Sequence, residues 1–239
     1  QATMRAIAQR AEQVLLEVVG VAVEQPLDVG PRRCRRRAFA AERPLLVSAI
    51  EHASIGKTAS ALGAATIPVN THGIVDLAAL DAQLTQLGRP ALISIMLANN
   101  ETGVIQPLAE IARIARVHGA LMHADAVQAL GKTPLDWGLL SVDMLTISAH
   151  KAGGPVGAAA LLIRNDLPIK PLLTGGGQEL GRRAGTENIP AITGFAALVE
   201  EVRGCDEAAE WRKWQSWLEQ QLTAVAPEAN IMGSNAPRL

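Results

Sequence analysis

Cysteine, tyrosine and net charge are all scarce in this chain. Its two cysteines, Cys34 and Cys205, stand far apart, which excludes a disulfide framework and a cysteine-based zinc site. The formal net charge is −1, so no overall field favours nucleic acid or a membrane surface. No apolar run approaches the roughly 18 residues that span a bilayer, and no signal peptide is visible. A cytoplasmic location, with no membrane or nucleic-acid partner, is therefore expected. Tyrosine is absent, and three of the four tryptophans sit together at Trp211, Trp214 and Trp217.

What is present is ordinary for a globular α/β protein, with 49% hydrophobic and 19% charged residues. At 239 residues, the chain is long enough to bury one large core, or one domain and part of another. Residues 2–19 carry apolar positions at helical spacing and are stopped by Gly20, which predicts an amphipathic helix. Between 21 and 44 neither period holds. The basic run 32–37 there reads as a solvated loop rather than a nucleic-acid patch, because one short cluster in a neutral chain gives little field.

Regular alternation begins at Leu45. Short apolar runs at 45–50, 65–69, 91–98, 120–124 and 142–147 read as strands, and the segments between them as helices. Asp76 is placed to cap a helix ending near Leu87, and Pro107 opens another that Gly119 closes. Strands separated by helices in this way mean βαβ units and a mainly parallel sheet, a three-layer α/β/α fold. The run 158–164 follows a tight turn and reads as a reversed strand. The glycine-rich stretch 171–189 is too long for a plain connector, and such loops usually carry function. Two helices follow, over 190–203 and 206–226. The second carries the tryptophans as a stripe, expected to pack against the domain.

The chemistry gathers where the strands end. In an open parallel sheet the carboxyl ends of neighbouring strands face one crevice, where ligands bind. Asp125, with Gln128 one turn on, follows the run 120–124; Ser148, His150 and Lys151 follow 142–147; His52 follows 45–50; Asn99 and Asn100 follow 91–98. Each has two readings. Asp125 is either a helix cap or a carboxylate that keeps a pyridine nitrogen protonated so that the ring accepts electrons. His52 is either a hydrogen-bonded structural histidine or a group that stacks on a ring and moves protons. Lys151 directly follows a buried strand, so desolvation is expected to lower its pKa and free its amine to react with an aldehyde. Ser148 and His150 are able to donate to phosphate oxygens. Together the set suits a cofactor with a ring nitrogen, a phosphate and an aldehyde.

Three long motifs carry a resemblance: ANNETGVIQPLAEIARIARVHGALMHADAVQALGK, VDMLTISAHKAGGPVGAAAL and TGGGQELGRRAGTENIP. In that order they resemble the central part of a cysteine desulfurase, a pyridoxal-phosphate (PLP) enzyme of the class V aminotransferase branch. The resemblance runs from about Leu45 to the C-terminus, and the helix at 2–19 fits it too. It implies that Lys151 holds the cofactor covalently, that Asp125 partners the ring nitrogen, and that Gln128 bonds the phenolic oxygen. It makes His52 the ring-stacking acid/base and places Asn100 near the ring oxygen and the substrate carboxylate. Ser148 and His150 become phosphate ligands, and Thr186 reaches the phosphate of a neighbouring subunit, so a homodimer with shared sites is implied. The reaction would take sulfur from L-cysteine, leaving alanine and an enzyme persulfide for a sulfur-acceptor protein in iron–sulfur assembly or thiolation.

The chain departs from the family pattern in three places. No strand and S-G-[AG]-T-E turn stands between 21 and 44, where a backbone cradle for the phosphate is expected; an out-of-frame stretch of a GC-rich gene would read this way, and the coding DNA tests it. The segment that precedes the first helix in the family is not found. Neither cysteine has the context of the family's nucleophile. The expected layout is a helix at 1–20, a divergent segment at 21–44, a PLP-binding large domain at 45–204, and a helix at 205–239 leading into a small domain that is mostly missing. On that basis the chain alone is expected to be a poor desulfurase or none. A selenocysteine lyase, an aminotransferase of the same branch and a non-catalytic remnant are the competing readings. A dinucleotide-binding protein is disfavoured, since no G-x-G-x-x-G follows a first strand.

Overall fold

The computed structural model of the chain describes residues 18–21, 43–164, 167–168, 171, 173–203 and 208–239. Among these, seven strands form one sheet in the order β1-β7-β6-β5-β4-β2-β3. They are β1 (Val18–Val21), β2 (Leu45–Ser48), β3 (Ala65–Ile67), β4 (Leu92–Met96), β5 (Leu121–Asp125), β6 (Met144–Ser148) and β7 (Ala159–Ile163). The pairs from β3 across to β6 are all parallel. β7 runs antiparallel to β6 and to β1, as the reversed strand at 158–164 requires.

The helices are α1 (Ala53–Ala61), α2 (Leu77–Leu87), α3 (Leu108–Val117), the single turn α4 (Trp137–Leu140), α5 (Ile189–Val202) and α6 (Ala208–Val225). Strand alternation sorts the core into two faces. Leu46, Ile93, Ile95, Met122, Ala124, Leu145 and Ile147 point to the side covered by α2, α3 and α5. Val47 points to the other side, against Ile55 and Ala59 of α1, and Leu92 and Met144 share that outer face with Ile163. Helices on both faces give the three-layer α/β/α sandwich. All five residues of β4 are buried, which is why its text is apolar without alternation.

Local chemistry sets the helix ends. Asp76 Oδ1 accepts from the N–H groups of Ala78 and Ala79, both at 3.0 Å, and Gly88 closes α2 in the left-handed region. In α3, Leu108, Ile111, Ala112 and Ala115 are buried at helical spacing, so one face of the helix sits on the sheet.

Two sequence expectations are corrected. Apolar spacing predicts a first helix running to Val19, but Val18–Val21 is a strand paired with β7; three valines in four residues favour extended backbone when a sheet edge is there to pair with. The rest of the 2–19 helix and nearly all of the 21–44 segment lie outside the described residues. The tryptophan stripe does not pack on the domain. Trp211, Trp214 and Trp217 are 41%, 61% and 54% exposed, and Trp214 meets Trp217 edge-to-face at 6.1 Å. Of the side chains described in α6, only Gln215 and Glu219 are half-buried. The helix is tied down by its later turns, where Arg238 Nη2 lies 2.7 Å from Glu219 Oε1.

Residues 237 and 239 contact the turn that follows β4. Ile105 N donates to Pro237 O at 2.8 Å and Leu239 N to Gly103 O at 3.0 Å, so the tail braces the turn that follows β4.

Candidate active site

Strand register brings the polar residues to one edge. Met96 pairs with Asp125 and Asp125 with Thr146, while Val47 pairs with Ser94. The carboxyl ends of β2, β4, β5 and β6 are therefore level along a rim roughly 14 Å wide, three inter-strand spacings of about 4.8 Å. The chain crosses from one side of the sheet order to the other between β2 and β4, a topological switch point of the kind at which α/β proteins bind ligands.

At that switch the rim is cross-braced. Ser48 Oγ donates to Glu51 Oε1 at 2.6 Å, and the same oxygen accepts from Met96 N at 2.8 Å. Asn99 is 8% exposed; its Nδ2 donates to Ile50 O at 3.0 Å. Its Oδ1 accepts from Glu101 N at 3.0 Å, Thr102 N at 2.9 Å and Thr102 Oγ1 at 3.1 Å. Asn99 thus builds the turn and leaves Asn100 exposed at its tip, where Nδ2 donates to Glu101 Oε1 at 2.7 Å. Sequence reasoning singles out Asn100 and gives no task to Asn99 or Glu51. Both sit at a strand end with acidic or amide side chains, which is the signal that was available.

His52 caps α1. Its Nδ1 accepts from Ser54 N at 3.2 Å and lies 2.9 Å from Ser54 Oγ. An imidazole that accepts at Nδ1 carries its neutral-state proton on Nε2, so the capping bond selects the tautomer whose other nitrogen donates. The structural and chemical readings of His52 are therefore compatible.

Asp125, 9% exposed, accepts from Val127 N at 3.1 Å through Oδ1, so it also shapes the turn that follows it. Beneath it, His123 bridges the sheet: Nδ1 lies 2.9 Å from Ser94 Oγ on β4, and Nε2 lies 2.8 Å from Thr146 Oγ1 on β6. That crossbar, unread in the sequence, holds three strands at the depth just below the carboxylate. Gln128 is half-buried and its Oε1 accepts from Lys132 Nζ at 2.9 Å.

Ser148 ends β6, buried, and its Oγ lies 2.9 Å from His150 Nδ1. His150 and Lys151 stand in a 3₁₀ turn, Ala149–Ala152. A Cβ at Gly154 would lie 2.8 Å from Leu198 Cδ2 and 3.1 Å from the Ala149 carbonyl oxygen, so only glycine lets this turn close against α5. Lys151 is exposed on the turn, so the burial expected of it is not found. Lys132 is half-buried, and its pKa is held below the ordinary value of 10.5, first by burial and then by repulsion from Lys151.

Thr186 is exposed on the loop ahead of α5. That loop is internally braced: Arg183 Nη1 donates to Gly185 O at 2.8 Å and Nη2 lies 3.7 Å from Glu179 Oε1. His52, Asn100, Asp125, Gln128, Ser148, His150 and Lys151 thus stand at or just after the carboxyl ends of β2, β4, β5 and β6, while Thr186 is exposed on the loop ahead of α5.

The donor set fits PLP by type. An amine answers an aldehyde, a buried carboxylate answers a ring nitrogen, an amide N–H₂ answers a phenolic oxygen, and a hydroxyl with an imidazole answers phosphate. Among the described residues there is no group of three or more His, Cys, Asp or Glu able to hold a metal ion, and no helix long and apolar enough to cross a membrane.

Residues 31–238 match the model of the class-V aminotransferase family; the match opens inside the 21–44 segment, ahead of the start of the resemblance near Leu45. A cysteine desulfurase of Cereibacter sphaeroides is 38% identical over 96% of this chain and 62% of its own length. Another from a Nostoc species is 45% identical over 72% of the chain and 43% of its own length. The solved structure of a NifS-like protein from Rickettsia africae superposes with a TM-score of 0.85 at 35% identity, covering 100% of this chain and 67% of that one. A structure of SspA in complex with cysteine superposes with a TM-score of 0.63 at 30% identity, covering 82% of this chain and 60% of that one. The chain spans between 43% and 62% of the length of these two curated relatives.

Proposed function

The chain belongs to the class-V aminotransferase family, on its NifS-like cysteine desulfurase branch, and from that premise we propose that it is the PLP-binding part of an enzyme that removes sulfur from L-cysteine. The observation that carries the reading is the level rim of Asp125, Gln128, Ser148, His150 and Lys151 at the ends of β5 and β6, beside a switch point. PLP, when bound, supplies an electron sink for bonds around the amino acid's α-carbon.

The protein's share is binding, orientation and proton handling. Lys151 Nζ offers the amine that holds the cofactor and later moves a proton. Asp125 offers a buried carboxylate that keeps a proton on the ring nitrogen. Gln128 would hydrogen-bond the phenolic oxygen, and Ser148 with His150 would hold the phosphate. His52, with its proton on Nε2, moves a proton at the substrate face. Asn100 orients the substrate carboxylate. In the net reaction a C–S bond breaks, the carbon gains a proton to give alanine, and sulfur passes to a thiol as a persulfide, so the carbon is reduced as the sulfur is oxidised. The proposal includes a cytoplasmic homodimer in which Thr186 serves the neighbouring copy, and a sulfur-acceptor protein for iron–sulfur assembly or thiolation.

With PLP bound and dithiothreitol supplied as the sulfur acceptor, L-cysteine is expected to give L-alanine slowly, and the Lys151→Ala chain to give none. Measurable alanine at the same level in both would overturn the reading.

A further inference from the structure

Gln128 has two chemically different ends, and the ligand chemistry proposed above needs only one of them. A phenolic oxygen in its anionic form accepts hydrogen bonds, so the amide must present its N–H₂; turned over, it would present a carbonyl to an anion. Exposed amides rotate freely between the two states. Here the choice is made by a neighbour. Lys132 Nζ lies 2.9 Å from Gln128 Oε1, and an ammonium has donors only, so only the amide oxygen can face it.

We propose that Lys132 is a positioning residue that fixes the orientation of the Gln128 amide, so that Gln128 offers N–H₂ to an oxyanion in the crevice. The inference rests on the PLP reading and adds to it a residue given no role so far.

The backbone shows why the lysine is held in place. The turn after Asp125 is closed by Ala129 N donating to Ala126 O at 2.9 Å and Lys132 N donating to Ala129 O at 3.0 Å. Gly131 adopts φ +73°, and a Cβ there would lie 3.1 Å from Val202 Cγ1 and 3.8 Å from Ala152 Cβ. The turn that carries Lys132 is thus packed against α5 and against the turn that carries Lys151. The Lys132 side chain is half-buried, and its Nζ reaches back to Gln128, four residues earlier. Burial and the Lys151 charge both act on this ammonium, which agrees with a place inside the site rather than in bulk solvent.

The test is equilibrium titration of the chain with PLP, read by the visible band of the bound cofactor, for wild type, Lys132→Met, Lys132→Arg, Gln128→Ala and the Lys132→Met/Gln128→Ala double variant. Loss of one oriented hydrogen bond predicts roughly three- to tenfold weaker PLP binding for Lys132→Met, with the visible maximum moved in the same direction as in Gln128→Ala. Lys132→Arg, which still has only donors, restores both. In the Gln128→Ala background Lys132→Met changes nothing further, because coupled residues fail to add. A Lys132→Met chain equal to wild type, or one whose loss adds fully to that of Gln128→Ala, overturns the positioning role while leaving PLP binding intact. No visible band in wild type overturns the PLP reading, and this inference with it.

Discussion

Asn99 Nδ2 donates to the carbonyl of Ile50 at 3.0 Å, joining the end of β4 to the strand end that leads into His52. The same side chain organises its own turn through Oδ1, so one buried amide holds the two sides of the switch point together. Its neighbour Asn100 is exposed, and its amide donates to the adjacent Glu101. Adjacent asparagines therefore do different work. Asn99→Ala is expected to lower unfolding stability by about 2–3 kcal/mol, since it strands several buried partners. Asn100→Ala should change it by less than about 0.5 kcal/mol, as an exposed substitution does. Urea denaturation of the two variants checks the contrast.

Asp125 separates the structural reading from the chemical one through a single isosteric change. The side-chain carbonyl introduced by Asp125→Asn still accepts from Val127 N, so the variant should keep the turn and leave stability within about 1 kcal/mol of wild type. It removes the charge that answers a protonated ring nitrogen, and PLP affinity should fall by about ten- to a hundredfold. Parallel thermal melts and PLP titrations report the two effects separately.

Much of this was legible in the sequence because local signals and tertiary need agree. Asp76 and Gly88 bracket α2 as capping chemistry requires, and the apolar run of β4 reads as a central strand because both its faces are covered. The rim residues follow from the rule that strand ends carry the ligand. What was not legible depended on partners distant in sequence. Val18–Val21 becomes a strand only because β7 offers an edge. The exposure of Trp211, Trp214 and Trp217 depends on how α6 leans, and helical spacing alone does not fix that. Lys132 is half-buried while Lys151 is exposed; both turns pack against α5, so the difference lies in which way each lysine leaves its turn, and position after a strand does not fix that.

The burial of Lys132 makes stability depend on pH. Lys132 binds its proton less tightly in the folded chain than in the unfolded one, where the ordinary value of 10.5 applies. The unfolded state therefore holds more proton in the window between the folded value and 10.5, and stability contributed by this group rises with pH across that window. Below it the cost of keeping a charged amine half-buried is present in full. Lys132→Met removes this dependence, so the difference in stability between variant and wild type should move in favour of wild type as pH climbs through the alkaline range. Urea midpoints at matched pH values measure it, and a difference that stays flat with pH would contradict the assignment.

The central claim is that Lys151, at the end of β6, holds PLP at the rim of the sheet. The most direct measurement is the visible absorption spectrum of the purified chain mixed with PLP, beside Lys151→Ala. The account predicts a Schiff-base band in the chain that the variant lacks. A band of equal strength in both proteins, or none in either, would contradict it.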